Sequence, residues 1–163
     1  MTDEPLLASF RTHERWMAEA LREAAAAEAT GDVPVGAIVV RDGRVLGRGH
    51  NRVEALHDAT AHAEILAIGA AAGALDDWRL AETTLYVTLE PCTMCCGAIL
   101  LSRIPTVVFG AHDPRAGAVA STARLLQGHP YGHAVEVIGG VAAEASSALL
   151  SEFFRQRRNR GAC

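Results

Sequence analysis

The chain has 163 residues, half of them hydrophobic, enough for a single domain spanning residues 1–163 with a substantial buried core. No apolar run reaches membrane length, and the start, with Asp3 and Glu4, lacks the positive flank of a secretory signal, so a soluble cytoplasmic protein is expected. Four cysteines argue against a disulfide framework, and a formal net charge of −4 excludes a global pull toward nucleic acid, leaving any RNA contact to a local patch.

In chain order, residues 6–29 read as an amphipathic helix, with Phe10, Trp16, Met17 and Leu21 among its apolar positions, ended by Thr30-Gly31. Strands over 35–41 and 45–50 flank Asp42-Gly43, a strong hairpin turn. A helix is expected from about 61 to 73, a strand over 84–88, a cysteine-bearing helix up to 102 and a strand over 106–109. A strand over 135–138 then precedes a terminal helix from about 142 to 158. The alternation of strand and helix predicts an α/β fold, a three-layer helix–sheet–helix arrangement with a parallel core and the first hairpin antiparallel at one side. No repeat or linker interrupts it, and the alanine runs at 24–27 and 70–72 serve as good helix formers.

Two short segments carry the chemistry: His62-Ala63-Glu64 and Pro91-Cys92-Thr93-Met94-Cys95. Cys92 and Cys95 are spaced to share one helical face, with Pro91 as the expected first helical residue. The helix N-terminus favours their thiolates. His62 and Glu64, two apart, point to nearly opposite sides of a helix, so His62 is expected at the helix mouth, where both can approach one ion. A structural zinc closes its shell with four protein ligands, whereas His62, Cys92 and Cys95 leave one position open, and Glu64 supplies a proton acceptor beside it. Alone, His-Ala-Glu reads as the start of a helix, and Cys-x-x-Cys as a redox pair, structural zinc or packing. Together, in this order, they form the established signature of the zinc nucleobase deaminases. Cys96 is expected to pack in the interior and Cys163 to be free and exposed.

All fifteen basic residues are arginine, and Arg155, Arg157, Arg158 and Arg160 crowd the end of the chain. Cations there complement a helix C-terminus, or they grip RNA phosphate. Asn51, read alone, caps a loop after a strand, and Asp113 reads as a turn residue before Pro114.

Longer stretches resemble the bacterial tRNA-specific adenosine deaminases: Val33-Pro34-Val35-Gly36-Ala37, Asn51, Thr60-Ala61-His62-Ala63-Glu64, Leu85-Tyr86-Val87-Thr88-Leu89-Glu90-Pro91-Cys92, Ser102-Arg103-Ile104, Val107-Val108-Phe109-Gly110-Ala111, and Leu149-Leu150 through Phe153-Phe154-Arg155. The resemblance implies a cytidine deaminase-like fold with a mixed five-stranded sheet. It further implies a homodimer that converts the wobble adenosine of an arginine tRNA to inosine. By that similarity His62, Cys92 and Cys95 hold one zinc per subunit and Glu64 shuttles protons. Asn51 bonds the flipped nucleoside, Ala63 joins the substrate site, Val33 and Val35 wall the base pocket, and Asp113 lines the RNA near the target base. Arg155, Arg157 and Arg158 are the candidate RNA contacts. The chain departs from the family at Gly132-His133-Ala134, where an Asn-His-Arg triplet is usual, at Arg124, where an acidic residue is common, and at His112, where Arg is frequent. A deaminase of a free base or nucleoside (guanine, adenine or cytosine type) would keep the zinc site and lose such RNA contacts. A non-catalytic RNA-binding subunit would be expected to lose Glu64, which is present.

Overall fold

The computed structural model describes residues 4–161; Cys163 lies outside them. Helix α1 (Glu4–Glu28) buries Trp16, Met17, Ala20, Ala24 and Ala27, one stripe at helical spacing, and ends at Gly31 with φ 76°. Leu21 packs at the margin of that stripe, whereas Phe10 is 49% exposed, one turn short of His13, which meets the Tyr86 hydroxyl at 3.0 Å. Strands β1 (Gly36–Arg41) and β2 (Arg44–His50) close on Asp42 and Gly43, both at positive φ (50° and 69°), the backbone a two-residue hairpin of matching twist requires.

The short helix α2 (Val53–Leu56) has no counterpart in the sequence reading. Its exposed N–H groups are collected by a carboxylate 22 and 23 positions upstream: Asp32 accepts from Glu54 at 2.7 Å and from Ala55 at 3.3 Å. Local propensity carries no sign of such a cap.

Helix α3 (Ala63–Leu75), strand β3 (Thr84–Leu89), helix α4 (Thr93–Leu101), strand β4 (Thr106–Ala111), strand β5 (Glu136–Ile138) and helix α5 (Ala143–Arg160) complete the order. The sheet runs β2-β1-β3-β4-β5; β1 is antiparallel to both β2 and β3, and β3, β4 and β5 are parallel. Alternation along the strands sorts the core into two sides. Ala37, Val39, Leu85, Val87, Val107 and Phe109 meet α3 and α4, and Ile38, Val40, Tyr86 and Val108 meet α1 and the start of α5. The result is the expected three-layer, mixed five-stranded arrangement. Among the described residues no helix is long and apolar enough to cross a membrane.

Two packing details place the site. Gly49 of β2 lets the first turn of α3 lie on the strand backbone, because a Cβ there would come within 2.4 Å of the Ala63 carbonyl oxygen. The expectation for Pro91 requires correction: α4 starts at Thr93, Cys92 is its N-cap in extended conformation (φ −77°, ψ 176°), and Pro91 precedes it. The chain stays extended because it is paired there, with the Pro91 carbonyl accepting from Ala118 N–H at 2.8 Å and Cys92 bridging Gly117.

Candidate active site

The N-termini of α3 and α4 converge on one point. His62 is the N-cap of α3 in extended conformation (φ −78°, ψ 151°), and Glu64 lies in the first turn. The extended cap lets two residues only two apart turn toward the same place. Asn51 secures that turn, its Oδ1 accepting the Ala63 N–H at 2.9 Å. From α4 come the N-cap Cys92 and, three residues on, Cys95.

His62 Nδ1 lies 3.6 Å from the Sγ atoms of both Cys92 and Cys95, and the three donor atoms fall within 4.8 Å of one another. Zinc bonds of about 2.3 Å to sulfur and about 2.05 Å to nitrogen, at a tetrahedral angle, separate S and N by about 3.6 Å, so the donor set fits one zinc ion. Cys95 is fully buried, and Cys92 and His62 are half-buried.

Proximity and burial perturb every titratable group here. The bonds from Cys95 and His62 pull the Cys92 thiol down to about 3, against the cost of burial. Its partner Cys95 is pushed far above the ordinary thiol range by sharing a hydrogen with Cys92 and by burial. His62 is raised by its bond to Cys92, partly offset by burial. Glu64, 4% exposed, is raised to about 6 by burial, against the stabilising effects of its own backbone N–H and of His62. A carboxyl poised near neutrality can both take and return a proton.

Above these groups opens a cavity of about 280 Å³. It lies at the small end of ligand-pocket volumes, with room for a single base. Val33, Val35, Asn51, His62, Glu64, Cys92 and Asp113, all singled out in the sequence, line it, as does Arg157. Ala63 does not: its side chain is in the main core and its N–H is taken by Asn51. Asn51 thus performs the loop-capping role that its position suggested while facing the cavity, where its amide NH2 is the group left to offer. Arg157 reaches the mouth, 3.9 Å from Glu54 of α2. Arg155 is turned to its own helix and held by Glu152 at 2.7 Å, and Arg158 borders a neighbouring hollow with Arg115 and Phe154.

The cavity also takes Asp32, Val53, Glu54, Leu89, Glu90 and Ala116, to which the sequence assigns no site role, although Leu89 and Glu90 stand in a stretch that carries the resemblance. An acidic residue two positions before Cys92 is the only local signal Glu90 carries. It is 2% exposed; burial alone would raise it, but bonds from the Ser121 hydroxyl and from the N–H groups of Asp113, Ala120 and Ser121 hold it at about 2.

Residues 10–111 match the cytidine and deoxycytidylate deaminase zinc-binding region. The chain is 48% identical over 147 residues to the tRNA-specific adenosine deaminase of Bacillus subtilis (strain 168), covering 90% of this chain and 91% of the relative. It belongs to the bacterial tRNA-specific adenosine deaminase family. A second relative, the tRNA-specific adenosine deaminase of Haemophilus influenzae, is 49% identical over 89% of this chain and 84% of its own length. Among solved structures, one from a study of A-to-I editing by tRNA:A34 deaminases at the wobble position of transfer RNA superposes with a TM-score of 0.80, at 46% identity, over 83% of this chain and 99% of that one. Guanine deaminase from Nitrosomonas europaea superposes with a TM-score of 0.72 at 28% identity, over 86% of this chain and 83% of its own. Membership in the deaminase family accounts for the convergence of His62, Glu64, Cys92 and Cys95 beneath a base-sized cavity.

Proposed function

We propose that this protein is a zinc-dependent hydrolytic deaminase that converts adenosine to inosine at the wobble position of a tRNA anticodon. The observation that carries the reading is the buried Glu64 beside the His62–Cys92–Cys95 cluster at the floor of a cavity with room for one base, in a chain of this family. His62, Cys92 and Cys95 hold the ion. Zinc, when bound, supplies the Lewis acidity that makes water nucleophilic at neutral pH.

The chain's own residues do the rest. Glu64 takes a proton from the attacking water and passes it to N1 of the adenine ring, then takes the proton of the new C6 hydroxyl and delivers it to the amino group, which leaves as ammonia while the C6 carbonyl forms. The balance is adenosine plus water giving inosine plus ammonia. Val33 and Val35 wall the pocket of the flipped base, and the Asn51 amide donates to it. Arg157, at the mouth, meets the RNA phosphate, with Arg155 and Arg158 further along the same helix and Asp113 beside the flanking nucleotides. The substrate is an arginine tRNA, the enzyme acts in the cytoplasm, and two copies associate as a homodimer.

A free-base reading draws on the likeness to guanine deaminase and on the Gly132-His133-Ala134 segment. The deciding experiment compares inosine and ammonia production from an anticodon stem-loop carrying a wobble adenosine with ammonia release from free bases and nucleosides. Inosine in the RNA is the expected result. Ammonia from a free base with the RNA untouched overturns the RNA substrate and leaves the deamination chemistry standing.

A further inference from the structure

Glu90 follows β3 directly and is almost completely buried, yet its carboxylate reaches the cavity wall. The reaction gives it no task, because its oxygens are already taken. Oε1 accepts the N–H groups of Val119, Ala120 and Ser121 at 3.2, 2.7 and 2.8 Å. Oε2 accepts the Asp113 N–H at 3.0 Å and the Ser121 hydroxyl. His112 Nδ1 stands 3.5 Å from the same oxygen, its ring edge-on to Phe109. At Gly117 the loop crosses so close that a Cβ would lie 2.4 Å from the Glu90 carboxyl carbon.

The segment from 113 to 121 contains neither a helix nor a sheet strand, so few of its N–H groups can find partners within regular structure. One carboxylate gathers four of them, and the chain wraps around it. Asp113 and Ala116 of that wrapped segment line the cavity together with Val33 and Asn51. We propose that Glu90 is a positioning residue: by anchoring 113–121 it sets the distance between the Asp113–Ala116 wall and the floor of the base pocket, and so the alignment of the substrate. The proposal rests on the deaminase reading of that pocket but requires no contact between Glu90 and either substrate or metal.

Glu90→Gln is the test, made on the full zinc-loaded chain. Glutamine can keep its oxygen toward the Val119–Ser121 amides, and the Ser121 hydroxyl can turn to accept from the new NH2 group. Asp113 N–H alone then faces a donor. The expected result is a KM for the anticodon stem-loop raised roughly tenfold with kcat within about twofold, unchanged zinc per chain, and faster amide exchange at Asp113. A lowered melting temperature with KM and exchange as in the wild type overturns the proposal, because Glu90 then only stabilises the fold. Loss of zinc overturns it as well, assigning Glu90 to the metal site. Should the glutamine variant not fold, Ser121→Ala decides, with a KM rise of roughly twofold to threefold expected and an unchanged KM fatal. Wild-type failure to edit the stem-loop would sink the functional reading instead. Exchange at Asp113 would still report on the anchor in that case, and no difference between wild type and variant would overturn it.

Discussion

The floor of the cavity is made from two helix starts, His62 with Glu64 and Cys92 with Cys95, each pair drawn from three or four consecutive residues. Its walls are made differently. Helix α2 is capped by Asp32 across 22 positions, and the 113–121 segment is gathered by Glu90 across 23 to 31. The floor groups are perturbed and reactive: Cys92 is pulled to about 3 and Glu64 is raised to about 6. The wall carboxylates are saturated with donors and chemically quiet. Glu64 and Glu90 are therefore separated by their partners: burial raises Glu64, which has few donors, toward neutrality, whereas the donors around Glu90 keep it ionised.

Substitutions that strike each region separately sharpen this contrast. The largest effect belongs to the floor. Glu64→Gln keeps the shape and removes the proton shuttle, so kcat on the stem-loop should fall by about a thousandfold or more while zinc content is preserved. Near-normal turnover in that variant would break the distinction between reactive floor and quiet wall.

Acid titration addresses Glu90. Its folded value of about 2 lies below the ordinary 4.5, so the stability it contributes is fully present above pH 4.5 and is lost as pH falls toward 2. The loss is on the order of 3 kcal/mol, and circular dichroism should show a shallower acid slope in Glu90→Gln than in the wild type. Equal slopes would mean that the carboxylate draws no net stability from its donors.

Asp32→Ala leaves the Glu54 and Ala55 amides without their acceptor, while the Thr30 hydroxyl keeps the Ala27 carbonyl. A destabilisation of about 2 kcal/mol is expected in denaturant unfolding, with KM rising and kcat nearly unchanged. A fall in kcat alone would place Asp32 with the floor groups.

The smallest effect is expected at the mouth. Arg157→Ala should raise KM severalfold and reduce the salt dependence of RNA binding by about one unit of slope, read by fluorescence anisotropy against ionic strength. Arg155→Ala should do less, because Glu152 already engages that guanidinium.

The legibility of the site follows the same division. His62, Glu64, Cys92 and Cys95 were readable because their chemistry depends on spacing within one turn, and the strand pattern around them foretold the sheet that brings the two turns together. Pro91 falls outside the helix because strand-like pairing of Pro91 with Ala118 and of Cys92 with Gly117 keeps the chain extended, a constraint from 27 and 25 residues further on. Phe10, apolar and correctly phased, stays exposed, one turn short of the sheet contact made by His13.

Short-range order in the chain was therefore enough to determine the three layers, the hairpin at Asp42-Gly43, the convergence of two helix starts and the acid beside them. Hydrophobic alternation, turn chemistry and ligand spacing all act within a few residues and leave a periodic trace. Only the tertiary structure decided that Asp32 and Glu90 are anchors, that Asn51 both caps α3 and faces the base, and that Arg157 alone of the terminal arginines stands at the mouth. A hydrogen bond between a carboxylate and a backbone amide about twenty or thirty positions away can be made with any residue type but proline at the donor, so it leaves almost no pattern in the sequence to be read.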